Sequence, residues 1–288
     1  MCSNVQVQIR AALASAIQEF VQNQVGSPRL NAETLLMFTL QCERAHLYAH
    51  PERELTGAER ERFESAVAER ARGVPSQYIT GHQEFWGLDL IVTPAALIPR
   101  PETEHLVEVA LALARQQPER EDLRIVDVGT GSGCIALALA KELPAAQIEA
   151  ADISDAALEV ARINCARLDL AERVRVRQSD LLADFPEREK FDLIVCNPPY
   201  VSRLKPETVQ KQVRESEPAV AVFSGDSGLE VYERLIPQAR TRLQPAGWLV
   251  MEIGYSIEPV VRALLAGWRA IETTPDLQGI PRVIAAQP

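Results

Sequence analysis

Residues 123–133 constrain this chain more tightly than any other stretch. Leu123-Arg124-Ile125-Val126-Asp127-Val128 is a short run rich in β-branched residues, and Gly129-Thr130-Gly131-Ser132-Gly133 follows it directly. Cys134-Ile135-Ala136-Leu137-Ala138-Leu139-Ala140-Lys141 then consists of good helix formers. Strand, glycine loop and helix make the first half of a nucleotide-binding βαβ unit. Glycines let the backbone approach a ligand, and a helix N-terminus favours a negative group. A second strand-like run, Ala146-Gln147-Ile148-Glu149-Ala150-Ala151, ends at Asp152. An acid about 20 residues beyond the glycines accepts hydrogen bonds from ribose hydroxyls. The spacing is G-x-G-x-G and not the G-x-G-x-x-G of dinucleotide binders, which argues against a nicotinamide cofactor. The candidate cofactor contacts here are Gly129, Thr130, Gly131, Ser132, Gly133 and Asp152.

Farther on, the apolar run Phe191-Asp192-Leu193-Ile194-Val195-Cys196 leads into Asn197-Pro198-Pro199-Tyr200. This tetrapeptide suits the alkylation of a planar, weakly nucleophilic NH2 group. The Asn197 side-chain oxygen and the Pro198 carbonyl can each accept an N–H bond, and the two prolines restrict those acceptors. Tyr200 offers a flat face for a planar amide or base. A plain strand followed by a turn would use the same residue types. Taken with the glycine loop and Asp152, however, the tetrapeptide specifies S-adenosylmethionine as the cofactor.

The rest of the catalytic region continues to alternate. Asp155 to Leu170 reads as a helix, Val174 to Arg177 as a strand, and Asp180 at its end as an acceptor for an adenine amine, with Leu181 packing on the ring. Phe191 to Cys196 then delivers Asn197 at a strand's carboxyl end, where open α/β sheets place ligands. Residues 201–226 read as a long irregular segment beside a peptide groove. Leu229 to Leu243 and Ile257 to Ala266 read as helices; Trp248 to Glu252, Trp268 to Thr273 and Arg282 to Ala286 read as strands. Upstream, a helix is expected from Pro101 to about Gln116, with Thr103 in a first turn whose free N–H groups suit a methionine carboxylate.

The first 75 residues differ in texture. Ala11 to Val25 has helical spacing, Ser27-Pro28 offers a cap and an N1 proline for a helix to about Cys42, and Thr56-Gly57-Ala58-Glu59 is a capping box. Between Gln77 and Arg100 the pattern turns strand-like, with Gln83 to Trp86, a turn at Gly87, and Leu88 to Val92 forming a hairpin. Phe85 and Trp86 read as packing residues. The expected domains are a helical substrate-recognition bundle over residues 1–75, a hairpin linker over 76–99 and a catalytic domain over 100–288.

Charge and cysteine usage narrow the partners. With 30 Lys and Arg against 40 Asp and Glu, the net charge of −10 disfavours extended phosphate binding, so direct nucleic-acid contact is not expected. No apolar stretch approaches the roughly 18–20 residues that span a bilayer. The opening Met1-Cys2-Ser3-Asn4-Val5-Gln6 lacks the order of a signal peptide. Cys2, Cys42, Cys134, Cys165 and Cys196 are widely spaced and read as reduced, mostly buried thiols of a cytoplasmic protein. His46 and His50 lie four apart without a third ligand, so no metal is expected.

Several blocks together resemble the bacterial protein-(glutamine-N5) methyltransferases that modify peptide chain release factors, the PrmC/HemK family. They are Tyr78-Ile79-Thr80-Gly81 with Glu84-Phe85-Trp86-Gly87, Leu97-Ile98-Pro99-Arg100-Pro101-Glu102-Thr103-Glu104, Glu217-Pro218, Gly225-Asp226-Ser227-Gly228-Leu229, Met251-Glu252-Ile253-Gly254-Tyr255, and Asp276 to Val283. The resemblance covers nearly the whole chain and departs at Leu181, where some relatives carry an aromatic residue. It implies a class I methyltransferase fold, doubly wound and α/β, with a mostly parallel sheet and one antiparallel strand near the C-terminus. It also implies S-adenosylmethionine as donor and the glutamine of a release factor's Gly-Gly-Gln motif as acceptor. Asn197, Pro198 and Tyr200 would be catalytic and, with Pro199, would touch substrate, and Asn197 would also touch the cofactor. Three alternatives stay open: a ribosomal-protein glutamine methyltransferase, an adenine-N6 nucleic-acid methyltransferase, and a noncatalytic cofactor-binding sensor.

Overall fold

A computed structural model describes residues 7–116 and 122–288. Cys2 and the other opening residues lie outside that range. The chain divides into two compact units, 1–81 and 82–288.

The first unit is helical: α1 Ile9–Gln22, α2 Pro28–Leu40, α3 Arg44–Ala49, α4 Gly57–Ala71 and α5 Ser76–Thr80. Ile9, Phe20, Leu35, Leu36, Leu47 and Phe63 meet in its core. The capping box forms as expected, with Thr56 Oγ accepting from the Glu59 N–H and Glu59 accepting from the Thr56 N–H. Two expectations fail locally. Ser27 does not cap α2 with its side chain: its φ of 48° is left-handed, and no side-chain cap bond forms. Its carbonyl is held instead by the Asn31 amide. Residues 76–80 are not extended but form a single helical turn, begun after Pro75 and ended by Gly81 at φ 76°.

The second unit opens with a hairpin, β1 His82–Phe85 and β2 Leu88–Ile91. Its two-residue turn has both central residues at positive φ, Trp86 at 55° and Gly87 at 66°. That is the twist a tight hairpin favours. Trp86 is a bulky residue for such a position, and its polar atoms are tied down: its backbone N–H donates to Glu104, its indole N–H to Glu142, and its carbonyl accepts from Lys141. Phe85 is fully buried and Trp86 packs against the same cluster, so both aromatics serve packing.

A 3-10 turn at Pro101–Thr103 leads into α6 Glu104–Arg115. Then follow β3 Arg124–Val128, α7 Cys134–Glu142, β4 Gln147–Asp152, α8 Asp155–Arg167, β5 Val174–Gln178 and β6 Phe191–Cys196. Residues 201–226 are less irregular than expected, holding α9 Lys211–Ser216 and α10 Ala219–Val222. Both are too short to show a hydrophobic period. The chain ends with α11 Glu230–Arg242, β7 Leu243–Glu252, α12 Glu258–Leu264, β8 Arg269–Pro275 and β9 Pro281–Gln287.

The seven strands order β5-β4-β3-β6-β7-β9-β8. The first five run parallel, and β9 is antiparallel to both neighbours. This is the doubly wound class I methyltransferase sheet expected from the sequence. Its central strands are apolar on both sides because helices cover both faces. Ile125, Leu193, Val195 and Val250 pack with α6 and α7, whereas Val126, Ile194, Leu249 and Met251 pack with α11 and α12. The β7 strand begins five residues earlier than its apolar run, with a register shift opposite Phe191–Leu193. Gly247 fits there because a Cβ would lie 3.0 Å from the Phe191 and Asp192 carbonyls.

Candidate active site

The glycine loop leaves the carboxyl end of β3 with Gly129, Gly131 and Gly133 all at positive φ. Gly131 faces open space, its nearest neighbour for a Cβ being the Ala96 methyl at 4.0 Å. Gly133 instead permits close packing, since a Cβ there would sit 3.2 Å from Leu137 and 3.4 Å from Ala161. Two buried side chains brace the loop. Asp127 accepts from the Thr130 hydroxyl at 2.6 Å and from the Ala136 N–H at 3.2 Å, while its other oxygen has no partner among the described residues. Burial pushes its carboxyl up to about 7. Asn164 donates to the Ser132 carbonyl and pairs with both the N–H and the carbonyl of Ile91, tying loop to hairpin.

Asp152, at the end of β4, accepts from the Gly131 N–H through one oxygen and the Ser154 N–H through the other, both at 2.9 Å. A carboxylate offers about four acceptor positions, so these bonds leave it capacity for a ribose hydroxyl. Burial raises its pKa.

A cavity of about 190 Å³ lies over these strand ends. It is lined by Thr103, Gly129, Thr130, Gly131, Ser132, Asp152, Asp180, Leu181, Asn197 and Pro199. Of the positions singled out in the sequence, Gly133, Pro198 and Tyr200 are not in that lining. Asp180 accepts from Arg234 at 2.6 Å, and Leu181 is half-buried at a φ of 55°. These features fit an adenosyl ligand: a glycine cradle without Cβ atoms, a diol acceptor with spare capacity, and an apolar side chain beside a strand-end acid.

The Asn-Pro-Pro-Tyr segment follows β6 with no cis peptide bond among the described residues. Asn197 Nδ2 donates to Thr103 Oγ1 at 3.0 Å, and the Thr103 hydroxyl donates to Glu252 Oε2 at 2.7 Å. The Thr103 backbone N–H, offered above to an anion, is already bonded to the Arg100 carbonyl. Glu252 closes β7 and is buried, and burial pushes its carboxyl up to about 7. The Tyr200 ring rests on Gly254, where a Cβ would come within 2.7 Å of it. Burial lifts the Tyr200 phenol to about 12, so it stays neutral.

Sequence reading assigned no role to Glu252, Asp127, Gly254 or the Arg100–Glu217 pair. Glu217 is buried and accepts from both the Arg100 guanidinium and the Ile98 N–H, joining the cavity wall at 97–100 to the segment before α10. The available signal was chemical: an acid as the last residue of an apolar strand, like Glu252, needs a partner once buried.

Comparison with known proteins gives a consistent picture. Residues 11–81 match the PrmC N-terminal domain and residues 107–221 the methyltransferase small domain. The release factor glutamine methyltransferase of Koribacter versatilis is 49% identical, over 97% of this chain and 98% of its own length. That of Moorella thermoacetica is 44% identical, over 96% and 98%. Among solved structures, the hMettl16 catalytic domain bound to MAT2A 3'UTR hairpin 6 shares the fold at a TM-score of 0.57 and 18% identity, over 82% of this chain and 84% of that one. The Thermus thermophilus 16S rRNA N2 G1207 methyltransferase, in complex with AdoMet and guanosine, does so at 0.50 and 21%, over 72% and 49%. By its full-length relatives and by both matched domains, the chain belongs to the release factor glutamine methyltransferase family.

Proposed function

We propose that this enzyme transfers the methyl group of S-adenosylmethionine to the side-chain amide nitrogen, N5, of the glutamine in the Gly-Gly-Gln motif of peptide chain release factors. The cytoplasm, where release factors act, is its proposed location. The observation that carries the reading is the orientation of Asn197. With Nδ2 bonded to Thr103, its Oδ1 is left to accept.

The donor supplies a methyl group on a positively charged sulfur that departs as a neutral thioether. Gly129, Thr130, Gly131 and Ser132 would shape the bed for it, Asp152 would accept from its ribose, and Asp180 and Leu181 would flank its base. On the acceptor side, Asn197 Oδ1 and the Pro198 carbonyl take the two N–H bonds of the glutamine amide. Those bonds draw the nitrogen lone pair out of conjugation and aim it at the methyl carbon. Tyr200, neutral and held on Gly254, packs against the amide plane beside Pro199. As the N–C bond forms and the C–S bond breaks, the nitrogen becomes acidic and its extra proton passes to water. Catalysis is then chiefly positioning, which can contribute about 7–11 kcal/mol.

Asn197→Ala tests this. Turnover is expected to fall about 10²–10³-fold, the range for losing one preorganised polar contact. Donor affinity should change much less. Near-normal turnover would reduce Asn197 to a strand terminator.

A further inference from the structure

We propose that Glu252 and Thr103 form a positioning relay that fixes which end of the Asn197 amide faces the cavity. The proposal rests on the role given to Asn197 above and deepens it.

An Asn side chain is nearly symmetric in shape, so its two orientations differ only in what they bond. One presents an acceptor, suited to a substrate NH2; the other presents a donor, which repels it. The choice is made by partners. Glu252 ends β7 with its carboxylate buried, and an ionised carboxylate can only accept. It accepts from the Thr103 hydroxyl at 2.7 Å. That hydroxyl has one hydrogen, which Glu252 takes, so toward Asn197 it can only accept. The atom 3.0 Å away must therefore be Nδ2, and Oδ1 must point elsewhere. Polarity is thus set at a carboxylate two hydrogen bonds away from the Asn197 amide. Glu252 is itself held in place, because its backbone carbonyl accepts from the buried Tyr232 hydroxyl at 2.7 Å.

Protonation of Glu252 removes the constraint. The neutral acid can donate to Thr103, which frees the Thr103 hydrogen to bond Asn197 Oδ1 and turns the amide the wrong way. Burial raises the Glu252 carboxyl to about 7. The charged and titratable groups facing it are Arg282 on β9, Arg100 and Glu102 before α6, Tyr200 and Cys196 at β6, Tyr232 on α11 and Cys134 on α7. Tyr200, Tyr232, Cys196 and Cys134 are all raised and stay neutral through that interval.

The test is a double-mutant cycle in kcat on intact release factor, using Thr103→Val, Asn197→Ala and their combination. Thr103→Val keeps the shape and removes the hydroxyl. Alone it should lower kcat about 10–100-fold, as misplacement of a reacting group does. In the Asn197→Ala background it should cost nothing further. Thr103→Ser should restore most of the turnover, which guards against a folding defect in the valine variant. Wild-type kcat should rise as pH passes upward through about 7. Glu252→Gln, whose amide can donate or accept, should be slower and lack that step. Additive losses in the cycle, or a Glu252→Gln enzyme with the wild-type pH profile, would overturn the relay. An Asn197→Ala enzyme with normal kcat would instead overturn the reading beneath it.

Discussion

Gly254→Ala is the smallest change that should reach the chemistry without touching it. Gly254 is absent from the positive-φ positions, so alanine meets no backbone strain there. By itself such a change stabilises by about 0.4–1 kcal/mol, through the entropy of the unfolded chain. Steric conflict opposes this: the new Cβ would lie 2.7 Å from Tyr200 Cδ2 and 3.1 Å from both Cε2 and Cγ. Carbon atoms rest at about 3.5–4.0 Å, so the ring must retreat by about 1 Å. Tyr200 cannot move freely, because its backbone carbonyl lies close against Gly228, where there is no room even for a Cβ. Overpacking of this kind costs about 1–3 kcal/mol, which outweighs the entropic gain. We therefore expect a net destabilisation of about 1–2 kcal/mol. Turnover should fall about 10²-fold, since a displacement of about 1 Å suffices for that. Denaturant melts and steady-state kinetics would measure the two effects. Repeating the substitution in a Tyr200→Ala background should erase the stability penalty. Wild-type stability and turnover in Gly254→Ala, or an equal penalty with Tyr200 removed, would refute the packing argument.

Gly131→Val should block the donor sterically, and Asp152→Ala should remove the ribose acceptor together with the brace on the Gly131 N–H, so calorimetry should show weakened S-adenosylmethionine binding in both. Stability should fall as pH rises between the unfolded carboxyl values and about 7, because folded Asp127 and Glu252 both hold their protons longer than the unfolded chain does. A rise from 4.5 to about 7 corresponds to about 3 kcal/mol, so Glu252→Gln should flatten that part of a stability-versus-pH curve and leave the part due to Asp127. We assign residues 1–75 the role of recognising the folded release factor; a chain beginning at His82 should bind the donor but show a raised Michaelis constant for release factor, and unchanged efficiency would dismiss that role.

Much of the sheet was legible because its central strands are short, mostly apolar runs bounded by glycine, proline or acid. Phe191–Cys196 is read to the residue for that reason. The glycine loop and Asp152 were legible because their function depends on sequence spacing. What sequence hid depends on conformation or on distant partners. Ser27 has the composition of a helix cap, but its left-handed φ prevents the cap bond. Residues 76–80, and those of α9 and α10, make turns too short for a period to show. Thr103 and Glu252 are 149 residues apart, and only the β7–β6–α6 arrangement brings them together. Tyr200 was recognisable as a flat face, but its support by Gly254 is a steric fact that appears only once the two segments are adjacent.

The most direct measurement is methyl transfer from labelled S-adenosylmethionine to three separate acceptors: intact release factor, a ribosomal protein with a methylatable glutamine, and DNA. The modified atom would be mapped by mass spectrometry. Label on the side-chain nitrogen of the Gly-Gly-Gln glutamine of release factor, lost in Asn197→Ala, is the predicted result. Label confined to the ribosomal protein or to DNA, with release factor unmodified, would contradict it.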